Sequence, residues 1–204
     1  TSPFTRTGSA RLSGHEPFTL YLIHHSHTDL GYTEVQEVVE DWHVDFIRQA
    51  VALARADRGP GAATFRWVCE SFHGVRLFWQ RAVERERRDF RAAVRAGNIG
   101  LSASYLNFNE LLDLPTLRYV PGLARRFADE HDLPLGAAMT ADVNGHGWGL
   151  ARALLDSGVE NLFTCVHTHH GRYPLQRPQQ PFWWQVPDGR RLLVWSGEHY
   201  HFGN

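Results

Sequence analysis

A chain of 204 residues with a formal net charge of −1 is long enough for one domain with a sizeable core. This near-neutral charge argues against a nucleic acid or an anionic membrane as partner, and no stretch of the sequence is long and apolar enough to span a bilayer. The 13 histidines and 7 tryptophans suit a cleft that binds a sugar or a metal ion. Cys69 and Cys165 lie far apart in apolar runs, so we expect two buried free thiols.

Strand and helix patterns alternate along most of the chain. Residues 1–17 are rich in Ser, Thr and Gly and predict a flexible lead-in, so the folded domain is expected over residues 18–204. The spacing of apolar residues and the positions of Gly and Pro predict strands at 18–23, 64–69, 99–102, 136–140 and 161–166. The same signals predict helices at 35–53, 75–95, 115–131 and 149–157. They also predict a hairpin of 181–185 with 191–195. This alternation predicts an α/β fold with a parallel sheet, open or barrel-like, and surrounding helices.

The first predicted strand ends in an unusual polar run, residues 24–29. His27 and Asp29 are two residues apart, and in an extended segment such residues point to the same side. Imidazole and carboxylate are both ordinary zinc ligands, so the pair predicts a metal site. The alternative is that both side chains only cap the following helix, but three histidines and an aspartate in six residues exceed what capping needs.

Polar residues also follow the other predicted strands. Because ligands bind at the carboxyl ends of parallel strands, we expect these side chains to gather at one face of the sheet. The set comprises Glu70, Asn109, Glu110, Asp142, Asn144, His146, His167 and His199. For Asp142, a helix N-cap before residues 149–157 is the alternative interpretation.

Several motifs resemble glycoside hydrolase family 38, the α-mannosidases. Residues 25–32, HSHTDLGY, are similar to the first signature of that family, a His-x-Asp pair at the end of the first strand with an aromatic residue after it. Residues 141–146, ADVNGH, are similar to the second signature, Asp-x-x-Gly-His. Residues 65–70 and 182–184 match further aromatic runs, and the likeness covers residues 18–196 in the family's order.

The resemblance implies a fold, a metal and a mechanism. It implies the N-terminal part of a seven-stranded β/α barrel catalytic domain, incomplete here, with one Zn²⁺ held by His27, Asp29 and Asp142. In the family's retaining mechanism, Asp142 would also be the nucleophile that attacks the anomeric carbon. The family's fourth ligand and its general acid/base are expected beyond Asn204, so we expect the chain to be a fragment of a longer protein.

The resemblance also implies a carbohydrate substrate, an α-mannoside or a related glycoside. Tyr32 stands where the family commonly has a Trp that stacks on sugar, so stacking is expected to persist while specificity shifts. Further sugar contacts are expected from Asn109, Glu110, Asn144 and His199. Val143 and Asn144 depart from the family's usual pair, which indicates a divergent branch.

Two other functions fit the same residues. His25 and His27 form a His-x-His pair at a strand end, which metal-dependent amidohydrolases and deacetylases on β/α barrels use to activate a metal-bound water. A carbohydrate-binding relative without catalysis would bind sugar and not turn it over. The sequence leaves the oligomeric state open, with a homo-oligomer among the options.

Overall fold

The computed structural model describes residues 24–56, 65–108, 111–143, 145–166 and 180–197. These residues form a mixed α/β structure. Its helices are α1 (Gln36–Ala56), α2 (Phe72–Arg81), α3 (Glu84–Arg95), α4 (Leu114–Glu130) and α5 (Trp148–Asp156). Its strands are β1 (Trp67–Cys69), β2 (Ile99–Leu101), β3 (Ala137–Thr140), β4 (Asn161–Cys165), β5 (Pro181–Gln185) and β6 (Arg191–Gly197).

The strands form two sheets that are mostly parallel. One sheet pairs β1 with β2, and the other has the order β3-β4-β6-β5. Only β5 runs antiparallel to its neighbour, in the predicted hairpin with β6. The two sheets are joined by hydrogen bonds just beyond β2, where Ala103 N–H donates to Ala137 O at 3.0 Å and Met139 N–H donates to the Ser102 hydroxyl at 2.9 Å.

The α/β class with parallel strands is confirmed, but the expected barrel is not formed by the residues that the structure describes. Their two sheets are linked edge to edge and do not close. The first predicted strand, residues 18–23, lies outside the described residues. His24, the residue after it, makes a parallel bridge to Trp67, so the chain enters the described part beside β1.

The single helix predicted over residues 75–95 is wrong in one respect, because the structure has two helices there. Ala82 and Val83 both have extended backbone angles, and Ala82 N–H closes the last turn of α2 on Phe78 O. The Glu86 side chain then accepts a hydrogen bond from Val83 N–H at 2.9 Å, as an N3 glutamate does at a helix start. The charge pattern continues through this break, so the helical period alone did not reveal it.

Apolar faces of the helices pack on the sheets to form one core. In α1, Val44, Ile47 and Val51 are buried at three- and four-residue spacing. The rings of Phe78 and Phe90 lie 5.2 Å apart between α2 and α3. No helix among the described residues has the length and apolar character needed to cross a membrane.

Candidate metal centre

The register of the chain beside β1 determines where the first polar motif lies. His24 pairs with Trp67 in parallel, and Val68 N–H donates to His24 O at 2.8 Å. His27, three residues after His24, contacts the side chain of Glu70, the residue that follows β1. The motif therefore lies at the carboxyl end of β1, the end of a parallel strand at which ligands bind.

Three residues from two separate segments converge at this edge. One ligand atom each from His27, Asp29 and Asp142 lies within 4.8 Å of the other two. His27 Nε2 is 3.7 Å from Asp29 Oδ1, as the i, i+2 spacing predicts. These are the three residues that the sequence nominated as zinc ligands, and the arrangement gives one imidazole and two carboxylates to a single point.

The backbone at Asp142 adopts a conformation that few residues other than glycine favour. Asp142 follows β3 after one intervening residue and has a φ of 61°, in the left-handed region. Aspartate is among the side chains that tolerate this region best. The backbone of the residue before it is held by a side chain from another loop, because Ala141 N–H donates to Asn107 Oδ1 at 3.1 Å.

Glu70 joins three side chains at this edge of the sheet through hydrogen bonds. Its carboxylate is 7 % exposed and accepts hydrogen bonds from His25 Nδ1 and His27 Nδ1, both at 2.7 Å, and from Asn107 Nδ2 at 2.6 Å. The sequence placed Glu70 with the other polar strand-end residues at one face of the sheet. The structure gives it two histidines and an amide.

The charges of the cluster shift its pKa values. Burial opposes ionisation of Glu70, but the hydrogen bonds from His25 and His27 outweigh it and lower the pKa of Glu70 to about 2. Burial likewise acts to lower the pKa of His27, and the hydrogen bond and charge of Glu70, with the charges of Asp29 and Asp142, raise it overall. The carboxylates of the cluster therefore favour a positive charge at the position of the His27 ring.

His146, the last residue of the second motif, contacts two threonine side chains of the sheet. Its Nε2 lies 3.0 Å from the hydroxyl of Thr164 and 3.3 Å from that of Thr140. Burial lowers the pKa of His146 to about 4, so the ring is neutral near pH 7. A neutral ring that joins β3 and β4 has a structural role in the described residues.

Of the residues expected to contact sugar, Tyr32 is the one within the described part of the chain. Tyr32 is 88 % exposed on the turn after the first motif, so its stacking role stays a prediction. The other expected sugar contacts, namely Asn109, Glu110, Asn144 and His199, lie outside the described residues. Asn107 was missed as a site residue, and the available signal was its place in the loop that follows β2, as Asp142 lies in the loop that follows β3.

Comparisons with known proteins agree with this α/β fold. A family model described as the glycosyl hydrolases family 38 N-terminal domain matches residues 17–204. The chain therefore belongs to glycosyl hydrolase family 38, as the motifs suggested. A search of curated proteins gives no match.

Solved structures share the fold at low sequence identity. A family 38 protein from Enterococcus faecalis is 14 % identical with a TM-score of 0.62, covering 86 % of this chain and 18 % of its own. An α-mannosidase from Enterococcus faecalis V583 is 13 % identical with a TM-score of 0.67, covering 85 % of this chain and 19 % of its own. A 4-α-glucanotransferase from Thermococcus litoralis is 12 % identical with a TM-score of 0.54, covering 84 % of this chain and 26 % of its own.

The two Enterococcus faecalis proteins are about five times longer than the matched part, since the chain spans about a fifth of their length. The glucanotransferase shows that a chain with a different named activity has a related fold. The fold by itself therefore does not select a substrate.

Proposed function

We propose that this chain is the N-terminal part, from residue 18 to 204, of a zinc-dependent retaining glycoside hydrolase that acts on α-mannosides or related glycosides. One observation carries the proposal. In a chain that belongs to family 38, His27, Asp29 and Asp142 direct their ligand atoms to one point at the strand ends. The name of one solved neighbour, an α-mannosidase, supports the substrate class.

The donor set fits zinc. Catalytic zinc usually has three protein ligands drawn from His, Asp, Glu and Cys, and it keeps a further position for substrate. Glu70 occupies His27 Nδ1 at 2.7 Å, which leaves Nε2 as the atom that faces Asp29. A carboxylate that holds the other nitrogen of a ligating histidine is the common second partner of zinc sites.

The chain's own residues would divide the work as follows. His27, Asp29 and Asp142 would hold Zn²⁺, which supplies a Lewis acid for the hydroxyls of the bound sugar. Asp142 would attack the anomeric carbon, since an ionised carboxylate beside the reacting sugar is what a retaining mechanism requires. The motif at residues 25–32 would put Tyr32 beside the sugar ring, and Asn109, Glu110, Asn144 and His199 would contact its hydroxyls. The residue that protonates the leaving oxygen is not assigned.

Elemental analysis of bound metal tests the proposal, using the longest natural chain that carries these residues. We expect about one zinc per chain in the wild type. Asp142→Ala should lose it. Asp132→Ala is the matched control, because Asp132 also has a left-handed φ of 52° but lies after α4, away from the three ligands.

The result decides between clear outcomes. Zinc lost from Asp142→Ala and kept by Asp132→Ala supports the centre and justifies a screen of aryl glycosides with inversion or retention read by NMR. No zinc in the wild type after the metal is supplied would refute the metal centre. Zinc with sugar binding and no turnover of any glycoside would favour the non-catalytic relative.

A further inference from the structure

Glu70 is the most buried charged residue among the described parts of the chain, at 7 % exposure. Its two oxygens together accept three hydrogen bonds from two separate segments, the histidine run at residues 25–27 and the loop that carries Asn107. Oε2 accepts from His25 Nδ1, and Oε1 accepts from both His27 Nδ1 and Asn107 Nδ2. A buried carboxylate is stable only when its oxygens are satisfied in this way.

The first consequence concerns the tautomer of His27. An ionised carboxylate can only accept, so His27 Nδ1 carries the hydrogen in this bond. In the neutral ring, the form that binds a metal, Nε2 then has the lone pair, and this is the atom 3.7 Å from Asp29. Glu70 therefore sets both which nitrogen of His27 can bind a cation and how the ring is turned.

The second consequence concerns Asp142, on the other strand end. Asn107 donates to Glu70 at 2.6 Å through Nδ2 and accepts from Ala141 N–H at 3.1 Å through Oδ1. Asn107 thus uses both ends of its amide to join Glu70 to the backbone N–H of Ala141. Ala141 immediately precedes Asp142, the left-handed residue whose side chain completes the group of three.

We propose that Glu70 and Asn107 are positioning residues that hold the two halves of the zinc site, His27 and Asp142, in register with each other. The proposal rests on the proposed function, because it presupposes a metal at His27, Asp29 and Asp142. Glu70 and Asn107 do not touch the metal or the substrate. They act by fixing the imidazole that binds the ion and the backbone that presents the second carboxylate.

A purely structural role for Glu70 makes a different prediction. If the cluster only stabilised the fold, any substitution that lowered stability equally would lower metal affinity equally. If it positions ligands, the loss of affinity follows the loss of hydrogen-bond acceptors instead. Variants at one position with graded acceptor content separate the two roles.

The experiment measures Zn²⁺ affinity by chelator competition, the visible spectrum of Co²⁺ bound in place of zinc, and thermal stability without metal. Glu70→Leu keeps the volume and removes every acceptor, and we expect about 10- to 100-fold weaker zinc binding with a changed Co²⁺ spectrum. Glu70→Gln keeps one oxygen and should recover part of the loss. Asn107→Ala should weaken binding by about 10-fold while the His27–Glu70 bond persists.

Val94→Ala is the control for stability, because Val94 is a buried residue of α3, a helix with none of the three ligands. We expect it to lower the melting temperature and keep wild-type zinc affinity. If Glu70→Leu does not fold, Asn107→Ala carries the test, since Asn107 is only half-buried on a loop.

Wild-type affinity and spectrum in both Glu70→Leu and Asn107→Ala would overturn the proposal. So would an equal loss of affinity in Val94→Ala at matched stability. These failures differ from failure of the proposed function, in which the wild type binds no zinc or Asp142→Ala keeps it.

Discussion

The outer helices and the strand ends both pair acidic with basic side chains, but they do so in different surroundings. On the helices, Arg48 Nε lies 2.9 Å from Glu86 Oε1, and the two side chains are 42 % and 32 % exposed. At the strand ends, Glu70 binds His25 and His27 at 2.7 Å with almost no exposure. The two kinds of pair have similar distances between their charged groups but differ in their exposure to water.

This difference explains what each kind of pair contributes. Water and salt screen an exposed pair, so its loss changes little. A buried carboxylate that loses its hydrogen-bond partners incurs the full cost of desolvation. Because breaking these bonds is costly, they hold their donor side chains in fixed positions. A glutamate therefore contributes little to stability in the exposed pair on the helices, whereas at the strand ends it can hold its partners in place.

The largest expected effect is loss of metal from the strand ends, and it also separates the two enzyme classes. Asp29→Ala removes one of the three converging carboxylate and imidazole groups, so we expect zinc binding at least about 100-fold weaker. His25→Ala removes only a bond to Glu70, and we expect a loss within about 10-fold. Both affinities can be measured by chelator competition.

The reverse order would contradict the glycosidase proposal. Loss of zinc from His25→Ala with retention by Asp29→Ala would indicate a His-x-His centre of the amidohydrolase type. Asp132→Ala, on the helical side, serves as the control and should bind zinc as the wild type does.

The next effect is on stability in acid and comes from His146. Burial lowers its pKa from 6.5 to about 4, so the folded state binds a proton less readily than the unfolded state. The stabilising contribution is therefore present above pH 6.5 and lost as pH falls from 6.5 through 4, on the order of 3 kcal/mol in all. His146→Gln should flatten this fall in unfolding free energy, measured by urea denaturation across that range.

His131 is the matched control on the helical side. It caps the end of α4, and partial burial also lowers its pKa. Because its surroundings are wetter, we expect His131→Gln to retain most of the wild-type acid slope. Equal slopes for the wild type and His146→Gln would show that the buried ring does not control this transition.

The sequence predicted the elements well where the pattern was local. The helix α1 and the hairpin of β5 and β6 follow directly from apolar spacing and from the turn at residues 187–189. The break between α2 and α3 was missed because it depends on two residues with extended backbone angles that carry no Gly or Pro signal. Barrel closure is a property of many strands together, and local patterns do not determine it.

The candidate site likewise combines contacts that local patterns predict with contacts that depend on the whole fold. His27 and Asp29 were predicted to meet because two-residue spacing in an extended segment is a local rule. The rule that ligands bind at the carboxyl ends of parallel strands placed Asp142 at the same face, and the family resemblance gave it the role of a third ligand. The role of Asn107 needed the actual fold, because its amide bridges Glu70 and Ala141, which are on different strand ends.

A smaller effect is expected at the two aspartates whose backbone is in the left-handed region, Asp142 at the strand ends and Asp132 after α4. Alanine at φ near 60° costs about 1–2 kcal/mol relative to glycine, so Asp142→Gly should be more stable than Asp142→Ala by that amount. The same ranking should hold for Asp132→Gly and Asp132→Ala. Denaturant unfolding of the metal-free proteins gives these values, and equal stabilities within each pair would show that the backbone relaxes there.

The smallest effect is expected at the exposed pair of Arg48 and Glu86. A double-mutant cycle with Arg48→Gln and Glu86→Gln should give a coupling of about 0.2–1 kcal/mol, which shrinks as salt is added. Glutamine suits this position because it can still accept from Val83 N–H and keep the start of α3. The matching cycle at the strand ends, His25→Ala with Glu70→Gln, should give a larger coupling that salt changes little, because water does not reach that pair. Equal couplings in the two cycles would mean that burial does not separate the strand ends from the helical layer, and the positioning role of Glu70 would lose its physical basis.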